Sequence, residues 1–424
     1  MTNFSPAATF ETITCPACGL LCDDIHVARD ATNQLAVTQH GCHKSIAFFS
    51  RKTPATSPSI QGQSASLEAA ISHAAGILSK AKQPLFAGLG TDVQGMRAVM
   101  HLADSTGAVL DHMNGDSLMR NVQVVQNSGW QTTTLTEVRN RVDLLVIVGT
   151  DVVSVLPRFF ERVVWNENSM FGQDTAKREI VYLGGRDVDT SAGISPDGRK
   201  PQVLPCDLDA LPEVVSVLRA LVAGKKLSVS EVAGIAIADL AALAERLKQA
   251  QYGVVAWAAS ALVFDHAELT IQTLTECIKT LNQTTRCSGL PLGGSDGDMS
   301  INQVSTWISG YPVRTSYART YPEHDPYHFS TERLLSEADA LLWVSSFNPE
   351  RMPPANDTPT IVLGHAAMTF ANAPEVFIPI ATPGVDCNGV MFRMDSAVSL
   401  PMEQLRSSDL STLAQVISAM EQVC

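Results

Sequence analysis

Three cysteines fall within eight residues near the start of the chain, Cys15-Pro-Ala-Cys18-Gly-Leu-Leu-Cys22, and Cys42 follows after nineteen intervening residues. Four thiolates from so short a segment can close around a tetrahedral ion or a cubane cluster. Gly19 and Gly41 let the backbone turn tightly beside them. The competing readings are disulfides and buried, unligated thiols. Disulfides are disfavoured because the chain reads as cytoplasmic. A spacing of two residues and then three is commoner for iron–sulfur clusters than for zinc, whose knuckles come in close pairs. Cys206, Cys277, Cys287, Cys387 and Cys424 are scattered and read as core or surface thiols.

The cytoplasmic reading rests on two observations. No basic segment followed by an apolar run opens the chain. The longest apolar stretches, such as Leu144–Val148 and Gly253–Leu262, fall well short of the roughly 20 residues that span a bilayer. Membrane partners are therefore not expected. A formal net charge of -13 without Lys/Arg clusters argues against nucleic acid. With 45% hydrophobic and 17% charged residues the chain is not disordered. At roughly 100–200 residues per domain, 424 residues make two or three domains.

A Ser/Thr/Pro stretch from Thr53 to Ser59 marks a boundary after the cysteine segment. Beyond it, short apolar runs alternate with helical periods. Pro84–Gly90, Asp143–Gly149, Glu179–Gly184, Tyr252–Ala258, Ala340–Ser345 and Thr360–Gly364 read as strands covered on both faces. Leu67–Lys80, Gln94–Thr106, Leu211–Ala223, Ile237–Gln249 and Ala267–Leu281 read as the helices between them. This alternation predicts an α/β fold with parallel strands and right-handed crossovers.

The cysteine pattern, with Asp23-Asp24-Ile25 directly after it, resembles the N-terminus of the B subunit of formylmethanofuran dehydrogenase. Thr134–Asp143 with Gly149-Thr150-Asp151 is similar to that subunit's central region, Ile301–Pro312 to its pterin-facing loop, and Gly389–Asp395 to its C-terminal stretch. The resemblance implies a molybdopterin-oxidoreductase-like architecture. A small Cys-rich domain (1–54) would precede two nested Rossmann-like domains, one from 55–112 with 251–330 and the other from 113–250 with 331–424.

Redox-active members of this family bind tungsten or molybdenum through a cysteine or selenocysteine near the end of the first α/β segment, where a soft donor is needed. This chain has no cysteine between Cys42 and Cys206. The corresponding stretch, Asp111–Gly129, offers only Asn114, Ser117 and Leu118. Pro291–Gly297 likewise lacks the Arg or His that family members place there. These departures resemble one branch, the B subunit of the bacterial formyltransferase/hydrolase complex. The resemblance implies a non-redox scaffold, without catalytic residues of its own and without molybdopterin, tungsten or molybdenum. Its partners would be the A, C and D subunits, together with the methylofuran that the complex carries in formaldehyde oxidation. Cys15, Cys18, Cys22 and Cys42 would then hold a structural zinc, with a [4Fe–4S] cluster or an empty site as alternatives. The other functional reading is a catalytic tungsten/molybdenum-pterin oxidoreductase in which Ser117 or a water replaces the missing ligand.

Weaker signals resolve against sites. Pro326 between His324 and His328 forbids a metal-binding helix. Gly88-Leu89-Gly90 through Gly95 misses the dinucleotide fingerprint, and Gly224-Lys225 lacks a phosphate loop's upstream glycine. Ser295-Asp296-Gly297-Asp298 reads as a solvated turn. Trp307, Tyr311 and Tyr317 line a remnant cavity or serve interdomain packing.

Overall fold

The computed structural model describes residues 6–423. The chain forms two compact units, one from Met1–Gly115 with Gly294–Cys424 and the other from Asp116–Gly293.

The Asp116–Gly293 unit is built on a five-stranded parallel sheet. Its order is Gln202–Leu204, Glu179–Leu183, Leu144–Val148, Gly253–Ala258, Cys287–Leu292. Leu144–Val148 and Gly253–Ala258 are buried along their whole length, which is why they lack polar alternation. Helices Leu211–Val222, Ile237–Gln249 and Ala267–Leu281 pack one apolar face each into the same core. Trp257 is fully buried there, and its indole N–H donates to Asn121 Oδ1 at 3.0 Å.

The other unit carries a nine-stranded sheet. Five parallel strands run side by side in its middle: Val109–Leu110, Pro84–Gly90, Ala340–Ser345, Thr360–His365 and Val376–Ile380. Short antiparallel strands close both edges. Helices Leu67–Leu78, Val93–Thr106, Asp298–Ser309 and Leu413–Glu421 belong to this unit. The cysteine segment adds an antiparallel sheet of Pro6–Ile13, Ile25–Asp30 and Leu35–Gln39, followed by the helix His43–Phe49. It is tied into the unit by main-chain bonds, with Met394 N–H donating to Gly19 O at 2.9 Å, and by Arg29 donating to Leu405 O at 2.8 Å.

All six strands and all five helices read from the sequence are present, with ends shifted by a residue or so. The domain partition is corrected. Residues 253–258 pair with Leu144–Val148, not with 84–90, and 340–345 pair with Pro84–Gly90. Hence 251–293 belongs with 116–250, and 331–424 belongs with 55–112. Every buried parallel strand carries the same apolar signature, so periodicity identifies a strand without naming its sheet. Ile301–Pro312, expected as a loop, is mostly the helix Asp298–Ser309, which buries Ile301 and Val304 one turn apart and ends at Gly310 in the left-handed region. The strands Cys287–Leu292 and Val376–Ile380 carry Pro291 and Pro379, residues that hide a strand from pattern reading.

Candidate functional site

The cysteine loop folds back on itself, with Cys15 N–H donating to Cys22 O at 2.9 Å and Leu21 N–H to Cys18 O at 3.2 Å. Cys15, Cys18 and Cys22 are buried, and Cys42 is half-buried at the start of His43–Phe49, where its sulfur caps Ser45 N–H. Burial pushes the Cys15 thiol well up, and the charges of Cys18, Cys22 and Cys42 push it further. The fold therefore gathers all four thiols in one electrostatic neighbourhood, the donor chemistry of a thiolate-held ion. As placed, however, no group of three or more His, Cys, Asp or Glu side chains among the described residues forms a ligand shell. The donor types fit a metal; their present placement does not.

Gly294 backs this loop. It sits at φ +89°, and a Cβ there would lie 2.4 Å from Gly19 Cα. Gly294→Val meets both a left-handed backbone and a backbone collision, so a loss of about 2 kcal/mol or more is expected. A denaturation midpoint equal to that of the unsubstituted chain would remove this contact from the account.

In doubly wound sheets, ligands bind beyond the carboxyl ends of the strands where the strand order reverses. In the nine-stranded sheet that point lies between Pro84–Gly90 and Ala340–Ser345. The chain goes from the first to Val109–Leu110 on one side and from the second to Thr360–His365 on the other. Side chains and main chain of the same unit come close to this point. A Cβ on Gly90 would stand 3.0 Å from Met113 and 3.6 Å from Asp296 O. Asn114 is the hub, its amide donating to Ser295 Oγ at 2.8 Å and to Asp298 Oδ2 at 3.3 Å. Its carbonyl accepts from Arg351 at 3.3 Å, and Arg351 Nε donates to Asp296 Oδ2 at 2.9 Å.

His112 lies beneath. Its Nδ1 accepts from Asn114 N–H at 2.9 Å, so the ring proton sits on Nε2, which donates to Asp296 O at 3.4 Å. Burial takes its pKa down to about 4, leaving a neutral ring. Burial likewise pushes Asp298 up to about 6, against the hydrogen bonds from Ser295, Met299 and Asn114. Asp111 completes the layer. Its Oδ1 meets Arg314 Nε at 3.3 Å, and its Oδ2 accepts from Thr331 N–H and Oγ1–H at 2.7 and 2.8 Å.

The groups of this arrangement are engaged mainly with one another. It contains no thiol, its imidazole is neutral and hydrogen-bonded at both nitrogens, and Asp111, Asp296, Arg314 and Arg351 have ionic partners. Of the three residues expected to stand in for the missing ligand, Asn114 is at the reversal point. Ser117 and Leu118 lie on the helix Gly115–Ser128, past the division between the units. Ser295–Asp298, expected as a solvated turn, is corrected to part of this network, since Asp298 is buried. The carboxylates have a hydrogen-bonding use there that outweighs exposure. Sequence reading missed Asp111, His112, Arg314 and Arg351; only topology brings them together. Trp307 and Tyr311 lie at the surface, packed on Phe392 and His324, while Tyr317 is buried.

No family model matches this chain. It is 27% identical over 409 residues to the B subunit of the tungsten-containing formylmethanofuran dehydrogenase 2 of Methanocaldococcus jannaschii, covering 90% of this chain and 91% of that one. It is 28% identical over 351 residues to the B subunit of the formyltransferase/hydrolase complex Fhc of Methylorubrum extorquens, covering 78% of this chain and 87% of that one. The chain is a homologue of these B subunits. As a B-subunit homologue it also matches a solved structure, a chain of the formyltransferase/hydrolase complex FhcABCD of Methylorubrum extorquens in complex with methylofuran. The TM-score is 0.72 at 26% identity, covering 87% of this chain and 98% of that one. The B-subunit homologue has no described helix long and apolar enough to cross a membrane.

Proposed function

We propose that this chain is the non-redox B subunit of a formyltransferase/hydrolase complex. The complex transfers the formyl group of formyl-tetrahydromethanopterin to methylofuran and releases formate during formaldehyde oxidation in the cytoplasm. This chain assembles with the A, C and D subunits, which carry the reacting groups. The observation that carries this reading is the polar network around Asn114. In this proposal it stands where a redox relative would need a soft metal ligand, and its hydrogen-bonded amide and guanidinium offer no such donor.

The second reading, a catalytic formylmethanofuran dehydrogenase subunit, draws on the match to the tungsten-containing relative, which spans more of this chain. An activity assay on the purified complex separates the two. The non-redox reading predicts formyl transfer and formate release that need this chain for assembly, and no reduction of a viologen dye by formylmethanofuran. Dye reduction that tracks this chain would replace it with the second reading.

The four cysteines serve, in this proposal, as a structural zinc site, with a [4Fe–4S] cluster as the alternative. Zinc can crosslink a small domain without redox chemistry, and a buried, mutually repelling thiol set gains most from a cation. Cys18→Ser is expected to lower bound metal and the stability of the N-terminal sheet, while formyl transfer per assembled complex stays unchanged. Metal content and assembly equal to wild type in that variant would remove the assignment.

A further inference from the structure

The Ser/Thr/Pro stretch after the cysteine segment passes the carboxyl end of the nine-stranded sheet as bare chain. Residues 51–58 have no regular structure, and no main-chain hydrogen bond among the described residues involves 52–57. Pro54 and Pro58 lack an N–H and keep the residues before them extended. Side-chain ties hold the segment down. Arg51 donates to Phe347 O at 2.7 Å, just past the strand Ala340–Ser345. Thr56 Oγ1–H donates to Ala366 O at 3.0 Å, directly after Thr360–His365. Between them Thr53 Oγ1 accepts from Arg406, whose Nε donates to Asp386 Oδ1 at 2.7 Å.

The end of the sheet beside these ties is sealed from water but incompletely hydrogen-bonded. Ser346, His365 and Thr382 stand at or just past the carboxyl ends of Ala340–Ser345, Thr360–His365 and Val376–Ile380, and all are buried. Thr382 Oγ1–H donates to Ser346 O at 3.1 Å, and Thr382 N–H to Asp386 Oδ2 at 3.0 Å. The Ser346 hydroxyl itself has no partner among the described residues. His365 accepts at Nδ1 from Ala367 N–H, so its proton is on Nε2, which has no acceptor among the described residues. A buried polar group left unpaired is costly, and water removes that cost as soon as it reaches the group. Chain without main-chain bonds, next to groups that gain from hydration, is the kind of region that opens at low free energy.

We infer that residues 51–57 are a latch that opens as a unit while the sheet stays folded, admitting water to Ser346 and His365 at the carboxyl ends of the strands. Closed, it keeps that end of the sheet dry; open, it presents a free hydroxyl and a free imidazole N–H. The side chains of Arg51, Thr53 and Thr56 set how rarely it opens, since they supply the bonds that its backbone lacks. The latch belongs to this chain alone and is independent of the assembly proposed above.

Lys52, exposed within the latch, offers a cleavage site to endoproteinase Lys-C in the folded full chain. Cleavage after Lys52 is expected to change by less than about threefold between 0 and about 1 M urea, because opening exposes little surface. Cleavage through global unfolding would rise more than about tenfold over that range. Thr53→Val with Thr56→Val is expected to speed cleavage at least about fivefold, each rate taken relative to the same chain unfolded in urea. A thiol introduced by Ser346→Cys should be alkylated by iodoacetamide, read from the peptide mass, and faster by the same factor when the threonine changes are added. Cleavage at Lys52 that follows global unfolding overturns the latch, and so does a wild-type rate in the threonine variant. Faster cleavage with unchanged alkylation at position 346 overturns the uncovering of the sheet.

Discussion

Asp111→Ala is expected to destabilise the protein by about 3–5 kcal/mol, the usual consequence of removing one partner from a buried ion pair. Both members are nearly inaccessible, with Arg314 Nε 3.3 Å from Asp111 Oδ1. Burial pushes Asp111 up and Arg314 pulls it back, so each ion depends on the other inside a poorly polarisable site. The aspartate also accepts from Thr331 twice and from His112 N–H at 3.0 Å. Its loss therefore leaves several buried donors unmet. Removing both charges, as Asp111→Leu with Arg314→Met, should return part of the loss, because a hydrophobic pair carries no desolvation cost. A denaturant double-mutant cycle reads both terms. A single-variant loss below about 1 kcal/mol would mean that the layer beneath Asn114 does not hold this unit together.

Acidification from about pH 6.5 to pH 4 is expected to destabilise the protein through two buried histidines. His112 and His365 both titrate near pH 4 in the fold, each chiefly because of burial; for His365 the Arg51 charge adds to it. His365 Nδ1 accepts Ala367 N–H at 3.0 Å, which needs the neutral ring. Their folded pKa values lie below the unfolded value of about 6.5, so the unfolded chain takes up protons first. Their contribution is complete above about pH 6.5 and is lost as pH falls toward 4, by about 1.4 kcal/mol per pH unit for each ring. Asp298 acts in the opposite sense. Its pKa is raised to about 6, so its contribution is complete below about 3.8 and is lost as pH rises through 6. Of these three groups, one histidine's worth of slope survives. His365→Gln should flatten the stability–pH curve between pH 6.5 and 4, and Asp298→Asn should steepen it. Parallel curves for His365→Gln and wild type would show that His365 is not held neutral.

The elements were legible because each obeys one strong local rule. Ala340–Ser345 and Leu144–Val148 are continuous apolar runs, and Leu67–Leu78 and Ala267–Leu281 repeat their buried residues every three or four positions. The pairing of those strands was not legible. The energy that places 340–345 beside 84–90 lies in packing between residues some 250 positions apart. The cysteine cluster was conspicuous because spacing alone encodes its chemistry. The Asn114 network was not, since Asp111, Asn114, Asp296 and Arg351 follow no spacing rule and meet only where the sheet reverses its strand order. The absence of a cysteine between Cys42 and Cys206 could be seen in the sequence; the hydrogen-bonded network around Asn114 required the fold.

The most direct test of the central claim is tungsten and molybdenum analysis, by inductively coupled plasma mass spectrometry, of the complex purified from its native host with all subunits present. The account predicts that neither metal accompanies this chain in stoichiometric amount, while formyl transfer and formate release are intact. One tungsten or molybdenum per copy of this chain, lost together with activity on Asn114→Ala, would contradict it.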